Sequence, residues 1–233
     1  MRICTITVRA GSKGVPGKNL RMVAGRPMFA HSVAQAAATG LFDEVVVSSD
    51  SEEILALAPQ YGATGVVRRP PEMATDTAGK VPAIAHAVRT TEQRTGRTYD
   101  VCVDLDATSP LRTLDDIRTA VRMFEESEAA SLITGAEARR NPYFNLVEEQ
   151  PDGTVAVSKQ PDDAVLRRQD APRCFDMNGS IYVWKRQALL EDQVVFLPST
   201  ILYEMPAERS VDVDSEFDFR IVEWLMEQRD ERC

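Results

Sequence analysis

The chain is predicted to fold as an α/β protein with a doubly wound, mostly parallel sheet of the Rossmann-like kind. Three observations carry this. Apolar runs too short for helices alternate with longer helical patterns over the first 138 residues or so, which is the signature of β-α-β units. The run Val45-Val46-Val47 is apolar at every position, as a strand covered by helices on both faces must be. The first strand runs directly into a basic, glycine-rich loop, and open α/β sheets bind ligands at the C-terminal ends of their strands.

The elements follow in order. Residues 1–8 form a first strand. Residues 28–39 are alanine-rich and helical, and Gly40 ends them. Residues 44–48 are a buried parallel strand. Ser51, followed by Glu52 and Glu53, reads as the N-cap of a helix through Ala58, with acidic residues in its first turn. Residues 65–68 are a short strand. Residues 79–91 are a helix with Val81, Ile84, Ala85 and Val88 on one stripe. Residues 100–105 are a strand, 114–126 a helix and 130–134 a strand. The pattern then changes. Residues 147–158 read as a hairpin turning at Pro151-Asp152-Gly153. Residues 161–172 are polar, 180–184 return to strand alternation, and 217–227 close the chain as a helix with Phe219, Val222 and Leu225 inward. Residues 1–233 are expected to form one domain, with 139–175 as a β-rich excursion from its layers.

At 233 residues, 43% hydrophobic and 27% charged, the chain has the size and composition of a globular domain with a full core. A net charge of −9 argues against nucleic acid or anionic membrane as the main partner. No apolar run approaches a membrane span, and the chain enters its first strand without a targeting segment, so a cytoplasmic location is expected. Cys4, Cys102, Cys174 and Cys233 are scattered without metal or disulfide spacing, and the first two fall inside strands as small core residues.

Residues 9–19 read Arg-Ala-Gly-Ser-Lys-Gly-Val-Pro-Gly-Lys-Asn. Gly11, Gly14 and Gly17 let the backbone turn its N–H groups toward one point. Arg9, Lys13 and Lys18 supply full positive charges for phosphate. This combination points to a diphosphate or triphosphate, although a flexible surface loop would share the composition. It is neither a Walker A motif nor G-x-G-x-x-G, which argues against a P-loop phosphotransferase. Near the other end, Asp212-Val213-Asp214 alternates so that both carboxylates share one face of an extended segment. That arrangement suits Mg²⁺ or Mn²⁺, which binds one or two carboxylates plus phosphate oxygens. Asp214 fits equally as the N-cap of a helix starting near Ser215, and Asp218 reads as a surface residue of that helix. Asp104 and Asp106 alternate at a strand end, as ligand contacts or as caps of a neighbouring loop. Asp50, ending the second parallel strand, suits a ribose hydroxyl or a helix cap. His31 and His86 sit within helical stretches outside any motif, so neither is expected to act as a general base.

The first loop resembles the R-x-G-S-K-G-x-x-x-K-N signature of the sugar-acid cytidylyltransferases, which make CMP-activated sialic acids and related nonulosonic acids. Four further blocks resemble that family in the same order. They are Asp104-Leu-Asp-Ala-Thr-Ser-Pro-Leu-Arg112, Arg139-Arg-Asn-Pro-Tyr-Phe-Asn145, Met177-Asn-Gly-Ser-Ile-Tyr182 and Val211-Asp-Val-Asp-Ser-Glu-Phe-Asp218. The resemblance implies transfer of CMP from CTP to a 2-keto sugar acid, with release of pyrophosphate.

On that resemblance, Arg9, Ala10, Gly11, Ser12, Lys13 and Lys18 hold the CTP phosphates and Asn19 fixes the loop, while Arg69, Asp76 and Lys80 lie around the base and the acid. Arg9, Lys18 and Asp214 are the catalytic set, and Asp212 and Asp214 hold the metal. Asp104, Asp106, Thr108, Ser109 and Asn178, with Arg140, Asn145, Arg167, Arg168 and Gln169 from the excursion, are the acid-binding candidates. Arg112 belongs to the site loop or pairs with Asp115 or Asp116. Any one of the excursion arginines suits a ligand carboxylate or a dimer salt bridge. The excursion is expected to build a homodimer and close over the partner's site.

Relatives that make CMP-sialate carry Gln where this chain has Asp106. The Asp-Leu-Asp-Ala form resembles the subset that activates legionaminic acid, a 5,7-diamino nonulosonic acid, so Asp106 is expected to select the acceptor. Sialic acid, pseudaminic acid, a 2-keto-3-deoxy acid or a phosphonate are alternative acceptors. A non-catalytic nucleotide-binding protein on the same fold is the alternative of another class.

Overall fold

The computed structural model describes residues 1–11, 14–75, 77–160 and 167–230, without the side chains of Arg168, Arg229 and Asp230. Strand β1 (Arg2–Thr7) leads through the basic loop to a small hairpin, β2 (Met22–Val23) and β3 (Arg26–Pro27). Then follow α1 (Met28–Thr39), β4 (Glu44–Ser49), α2 (Glu52–Leu57), β5 (Gly65–Arg68), α3 (Lys80–Thr95), β6 (Val101–Leu105), α4 (Leu114–Glu125) and β7 (Ser131–Glu137). The excursion carries β8 (Val147–Glu149) and β9 (Val155–Val157), paired antiparallel around the predicted turn. The chain returns through β10 (Phe175–Lys185), α5 (Arg186–Glu191) and β11 (Thr200–Glu204), and ends in α6 (Glu216–Asp230).

The main sheet has seven strands in the order β11-β7-β10-β6-β1-β4-β5. All its pairings are parallel except those of β10, which lies antiparallel between β6 and β7. The alternation of side chains along each strand divides the core between the two faces. Cys4, Ile6, Val45, Val47, Val103 and Leu105 join Phe29, Ile117 and Phe124 on one face. Ile3, Val46 and Cys102 join Ile84, Val88 and Trp184 on the other. Each fully buried Ile, Leu or Val contributes roughly 1.5–3 kcal/mol, so a one-residue slip of β1 or β4 would move whole sets of side chains to the wrong layer. A third cluster, including Val15, Val23, Met28, Leu111, Val213, Phe219 and Val222, seats α6 beside the first loop.

The predicted caps are present. Gly40 closes α1 in the left-handed region at φ 67°, and the Ser51 hydroxyl accepts from the Ile54 N–H at the start of α2. Thr113 and Asp116 form a capping box on α4. The hairpin β2–β3, helix α5 and edge strand β11 went unassigned from sequence, because each is short and carries little periodicity. Strand β10 begins five residues before the predicted strand and contains an irregularity between Met177 and Tyr182. Among the described residues no helix is long and apolar enough to cross a membrane.

Candidate active site

A cleft of about 430 Å³ opens at the C-terminal ends of β1 and β6. It is where a parallel sheet delivers ligand contacts. Its first wall is the basic loop. Gly17, at φ 63°, takes a left-handed conformation that a side chain would strain, and Lys18 begins a short 3-10 turn behind it. Lys18 Nζ donates to the Val213 carbonyl and lies 3.4 Å from Asp214 Oδ1. Asn19 Nδ2 donates to the Arg9 carbonyl at 3.0 Å, so this amide ties the two ends of the loop. Arg9 donates to the Thr75 carbonyl at 3.4 Å across the cleft mouth. The Ala10 N–H is engaged by Asp50 Oδ1 at 2.8 Å. Asp50 therefore anchors the loop, while Ser51 caps the helix.

The adjoining wall is the segment 210–214, held from several sides. The Val213 N–H donates to the Thr108 carbonyl at 2.9 Å. Ser210 Oγ accepts from Asn178 Nδ2 at 2.9 Å. Arg209 grips the buried Asp116 through both carboxylate oxygens, at 2.9 and 2.8 Å. Gly14 approaches so closely that a Cβ there would overlap the Asp214 carbonyl oxygen. Asp212 and Asp214 both line the cleft. Burial foremost, and then the neighbouring Asp214, push the Asp212 carboxyl up to about 6, as expected for a partly buried carboxylate beside another. The cap of α6 is Ser215: its hydroxyl and backbone N–H both donate to Asp218, and it accepts from the Asp218 N–H. Asp218 is thus a capping residue rather than an ordinary surface one, and the Asp214 carboxylate is released from capping to face the cleft.

The floor is polar and buried. Arg69 is 7% exposed. One Nη donates to the Ser48 carbonyl at 3.3 Å, while its Nε, Thr7 Oγ1 and Asn19 Oδ1 are buried without hydrogen-bond partners. Burial foremost, with nearby Arg9, holds the Arg69 guanidinium below its ordinary value against the pull of Asp104 and Asp50. Each unsatisfied buried group costs about 1–3 kcal/mol, a deficit that a hydrogen-bonding ligand in the cleft would relieve.

Beside it lies a charge cluster. Lys80 Nζ is 2.9 Å from Asp104 Oδ2 and 2.6 Å from Asp106 Oδ2, and 4.5 Å from the centre of the Tyr182 ring. Asp106 Oδ1 accepts from both the N–H and the hydroxyl of Thr108, each at 2.9 Å. Burial opposes the Asp106 carboxylate, but Lys80 and Thr108 outweigh it and hold it down at about 2. The irregularity in β10 aims Asn178 inward. Gly179 stands at φ 60°, and Asn178 Oδ1 accepts from the Thr134 hydroxyl and the Ser180 N–H at 2.6 and 3.1 Å.

Of the residues singled out from sequence, Arg9, Gly11, Lys18, Asn19, Arg69, Asp106, Thr108, Asn178, Asp212 and Asp214 line this one cleft. Ser12, Lys13, Asp76 and the side chain of Arg168 lie outside the described residues. Others are placed differently from expectation. Asp104 is wholly buried and supports Lys80 and Thr5 from beneath. Ser109 is buried and donates to the Asn178 carbonyl. Arg112 is buried and pairs with neither Asp115 nor Asp116. It braces Ser32, Gln35, Ser180 and the Asp106 carbonyl, and burial foremost holds it down to about 10.

Ala10 contributes its N–H to the loop, as described. The excursion residues are away from the cleft: Arg140 donates to the Arg139 carbonyl, Asn145 Oδ1 accepts from the Asn141 N–H, Arg167 pairs with Asp170, and Gln169 borders a separate hollow. Sequence reasoning missed Thr7 and Tyr182, which also line the cleft. Both lie at strand positions whose alternation signals only burial.

The comparisons with known proteins agree with this geometry. A family model described as cytidylyltransferase matches residues 3–218. The chain is 44% identical to the post-translational flagellin modification protein B of Campylobacter coli, over 97% of this chain and 95% of that protein. It is 42% identical to the CMP-N,N'-diacetyllegionaminic acid synthase of Campylobacter jejuni, over 96% of this chain and 94% of that protein. Its fold matches the structure of CMP:2-keto-3-deoxy-manno-octonic acid synthetase complexed with CTP, with a TM-score of 0.72, 17% identity and coverage of 98% of this chain and 99% of that one. With its basic glycine loop packed against paired aspartates at the mouth of a mostly parallel sheet, the chain belongs to the cytidylyltransferase family and is a CTP-dependent nucleotidyltransferase.

Proposed function

We propose that the chain couples CTP to a nonulosonic acid of the legionaminic type, giving a CMP-sugar acid and pyrophosphate. The observation that carries the reading is the gathering of Arg9 and Lys18 with Asp212 and Asp214 within one cleft. Arg9 and Lys18 would bind the triphosphate, where fixed charges stabilise the charge that develops on transfer. Arg69, Thr7 and Asn19, with their unused hydrogen-bonding atoms, would hold the base and ribose.

Asp212 and Asp214 fit Mg²⁺ or Mn²⁺: both are hard oxygen donors, and the Asp212 carboxyl is raised by burial and then by Asp214, both of which a divalent cation would offset. Among the described residues no three such side chains are grouped to hold an ion unaided, so phosphate oxygens would complete its shell. Such an ion, when bound, supplies charge neutralisation for the phosphates. The acceptor assignment is supported by the Asp104–Ala107 block and by the name of the 42% identical Campylobacter jejuni relative.

A homodimer is part of the same reading. Leu146, Val147 and Val155 are 45, 54 and 66% exposed on the excursion, an apolar surface suited to a second copy. Pairing there would return Arg140, Asn145 and Arg167 toward a cleft that one copy leaves without them. Light scattering at micromolar concentration should give a dimer; a monomer would refute this part.

The activity itself is tested by pyrophosphate release with each nucleoside triphosphate against legionaminic, pseudaminic, N-acetylneuraminic and 2-keto-3-deoxy acids. Turnover should require CTP and cease in excess chelator. Equal turnover with ATP, or none with any of these acids, would overturn the proposal.

A further inference from the structure

We propose that Lys80 orients and selects the acceptor by donating to one of its uncharged oxygens, with Asp104 and Asp106 acting through it as positioning residues. This rests on the CMP-transfer reading above. Asp106 was the selector expected from sequence, yet its carboxylate is already engaged: Thr108 donates twice to Oδ1 and Lys80 donates to Oδ2. Asp104 lies under the surface at 0% exposure, out of reach of a ligand. Lys80 is the member of the cluster that keeps a donor for the cleft. Its ammonium has three N–H groups. One donates to Asp106 Oδ2 at 2.6 Å, the ammonium lies 2.9 Å from Asp104 Oδ2 as an ion pair, and the side chain remains 30% exposed along the cleft wall beside Tyr182.

The charge of the cluster indicates what that donor reads. One ammonium and two carboxylates leave the cluster itself with a net single negative charge; the buried Arg69 and Arg112 stand behind it with guanidinium groups turned to the Ser48 and Asp106 carbonyls, and Asp212 and Asp214 line the same cleft. A phosphate or carboxylate has its partners in Arg9 and Lys18 and would be repelled here. A hydroxyl or acylamido carbonyl accepts a charge-assisted hydrogen bond with no such penalty. The two carboxylates also keep Lys80 protonated, so it serves as a fixed donor rather than a base. Because Asp104 is anchored to Thr5 at 2.8 Å and Asp106 to Thr108, the ammonium is held in one place, and an acceptor whose oxygen lies elsewhere loses the contact.

The test is a split of kinetic constants, with N,N'-diacetyllegionaminic acid and N-acetylneuraminic acid as probes. Lys80→Met should raise the KM for the preferred acid about 10–100-fold, the range for a hydrogen bond to a charged group, and leave the KM for CTP within about twofold. It should also narrow the ratio of kcat/KM between the two acids. Lys80→Met leaves the buried Asp104 carboxylate without its cation, so Lys80→Met/Asp104→Asn and the charge-retaining Lys80→Arg are measured beside it, with melting temperatures. Lys80→Arg should show the same split at smaller size, and Asp106→Asn a smaller one again.

A purely structural role would lower the melting temperature and harm both substrates together. The inference is overturned if the CTP KM rises as much as the acid KM, or if a folded Lys80 variant keeps the acid KM and the acid preference of the wild type. Absence of turnover by the wild type with every sugar acid would instead overturn the activity reading, and this inference with it.

Discussion

Gly14→Ala tests how tightly the first loop is coupled to the aspartate segment. The Cβ introduced would fall inside the Asp214 carbonyl oxygen, whereas an ordinary C···O contact is about 3.3–3.6 Å. The loop and the segment 212–214 must therefore part by roughly 1 Å or more to restore that spacing. This movement acts on the contacts of Lys18 with Val213 and Asp214, and thus on the relation between the loop cations and the paired carboxylates. A misplacement of about 1 Å costs on the order of 100-fold in rate, or about 2.7 kcal/mol of transition-state stabilisation. Gly14 lies outside the left-handed region, but the atom its Cβ would meet is backbone and the adjacent Val15 and Val213 share a buried cluster, so the fold should also lose about 1–3 kcal/mol. The expected result is a fall of about two orders of magnitude in kcat/KM in a variant that still folds, with a lowered melting temperature. The assay is pyrophosphate release under saturating acceptor, alongside thermal denaturation. A variant within threefold of wild-type kcat/KM would show that loop and aspartate segment move independently, and would refute the reasoning.

Two further outcomes follow from the same geometry. Arg9→Ala and Lys18→Ala should each lower kcat/KM by about 2–4 kcal/mol of transition-state stabilisation without unfolding the protein, and unchanged kinetics would make the loop a surface feature. Arg209→Ala should destabilise the fold by about 1.5–3 kcal/mol at neutral pH, since it removes charged hydrogen bonds to the buried Asp116. Burial raises the Asp116 carboxyl, but Arg209 and Thr113 outweigh it and hold it below its ordinary value. The contribution is therefore fully present above the unfolded value near 3.9 and is lost as pH falls through the lower folded value. Denaturation of wild type and Arg209→Ala should differ most near pH 7 and converge below about pH 4; a difference independent of pH would contradict the assignment.

Local signals in the sequence determined the alternating elements, their caps and the first loop. Period-two and period-3.6 patterns placed β1, β4, β6, α1, α3 and α4 within a few residues, because the two-faced core leaves each strand one workable register. Gly40 and Ser51 ended and began helices where backbone chemistry requires it. Arg9, Lys18 and the Asp212–Asp214 pair were legible as candidates for one site because residue type and spacing restrict what such segments do, and the structure brings them to one cleft.

Only the tertiary structure decided which polar groups remained for a ligand. The insertion of β10 antiparallel between β6 and β7 brought Asn178 and Tyr182 to a cleft begun by residues more than a hundred positions earlier. Asp214 was released because Ser215 and Asp218 cap α6 between themselves. Arg112 was withdrawn into the interior by Ser32, Gln35 and Ser180, and Asp106 was engaged by Lys80, 26 residues earlier in the chain. Each of these outcomes is a competition among hydrogen-bond partners distant in sequence. A carboxylate or guanidinium carries the same chemistry wherever it stands, and what it has left to offer is set by the neighbours that folding brings to it.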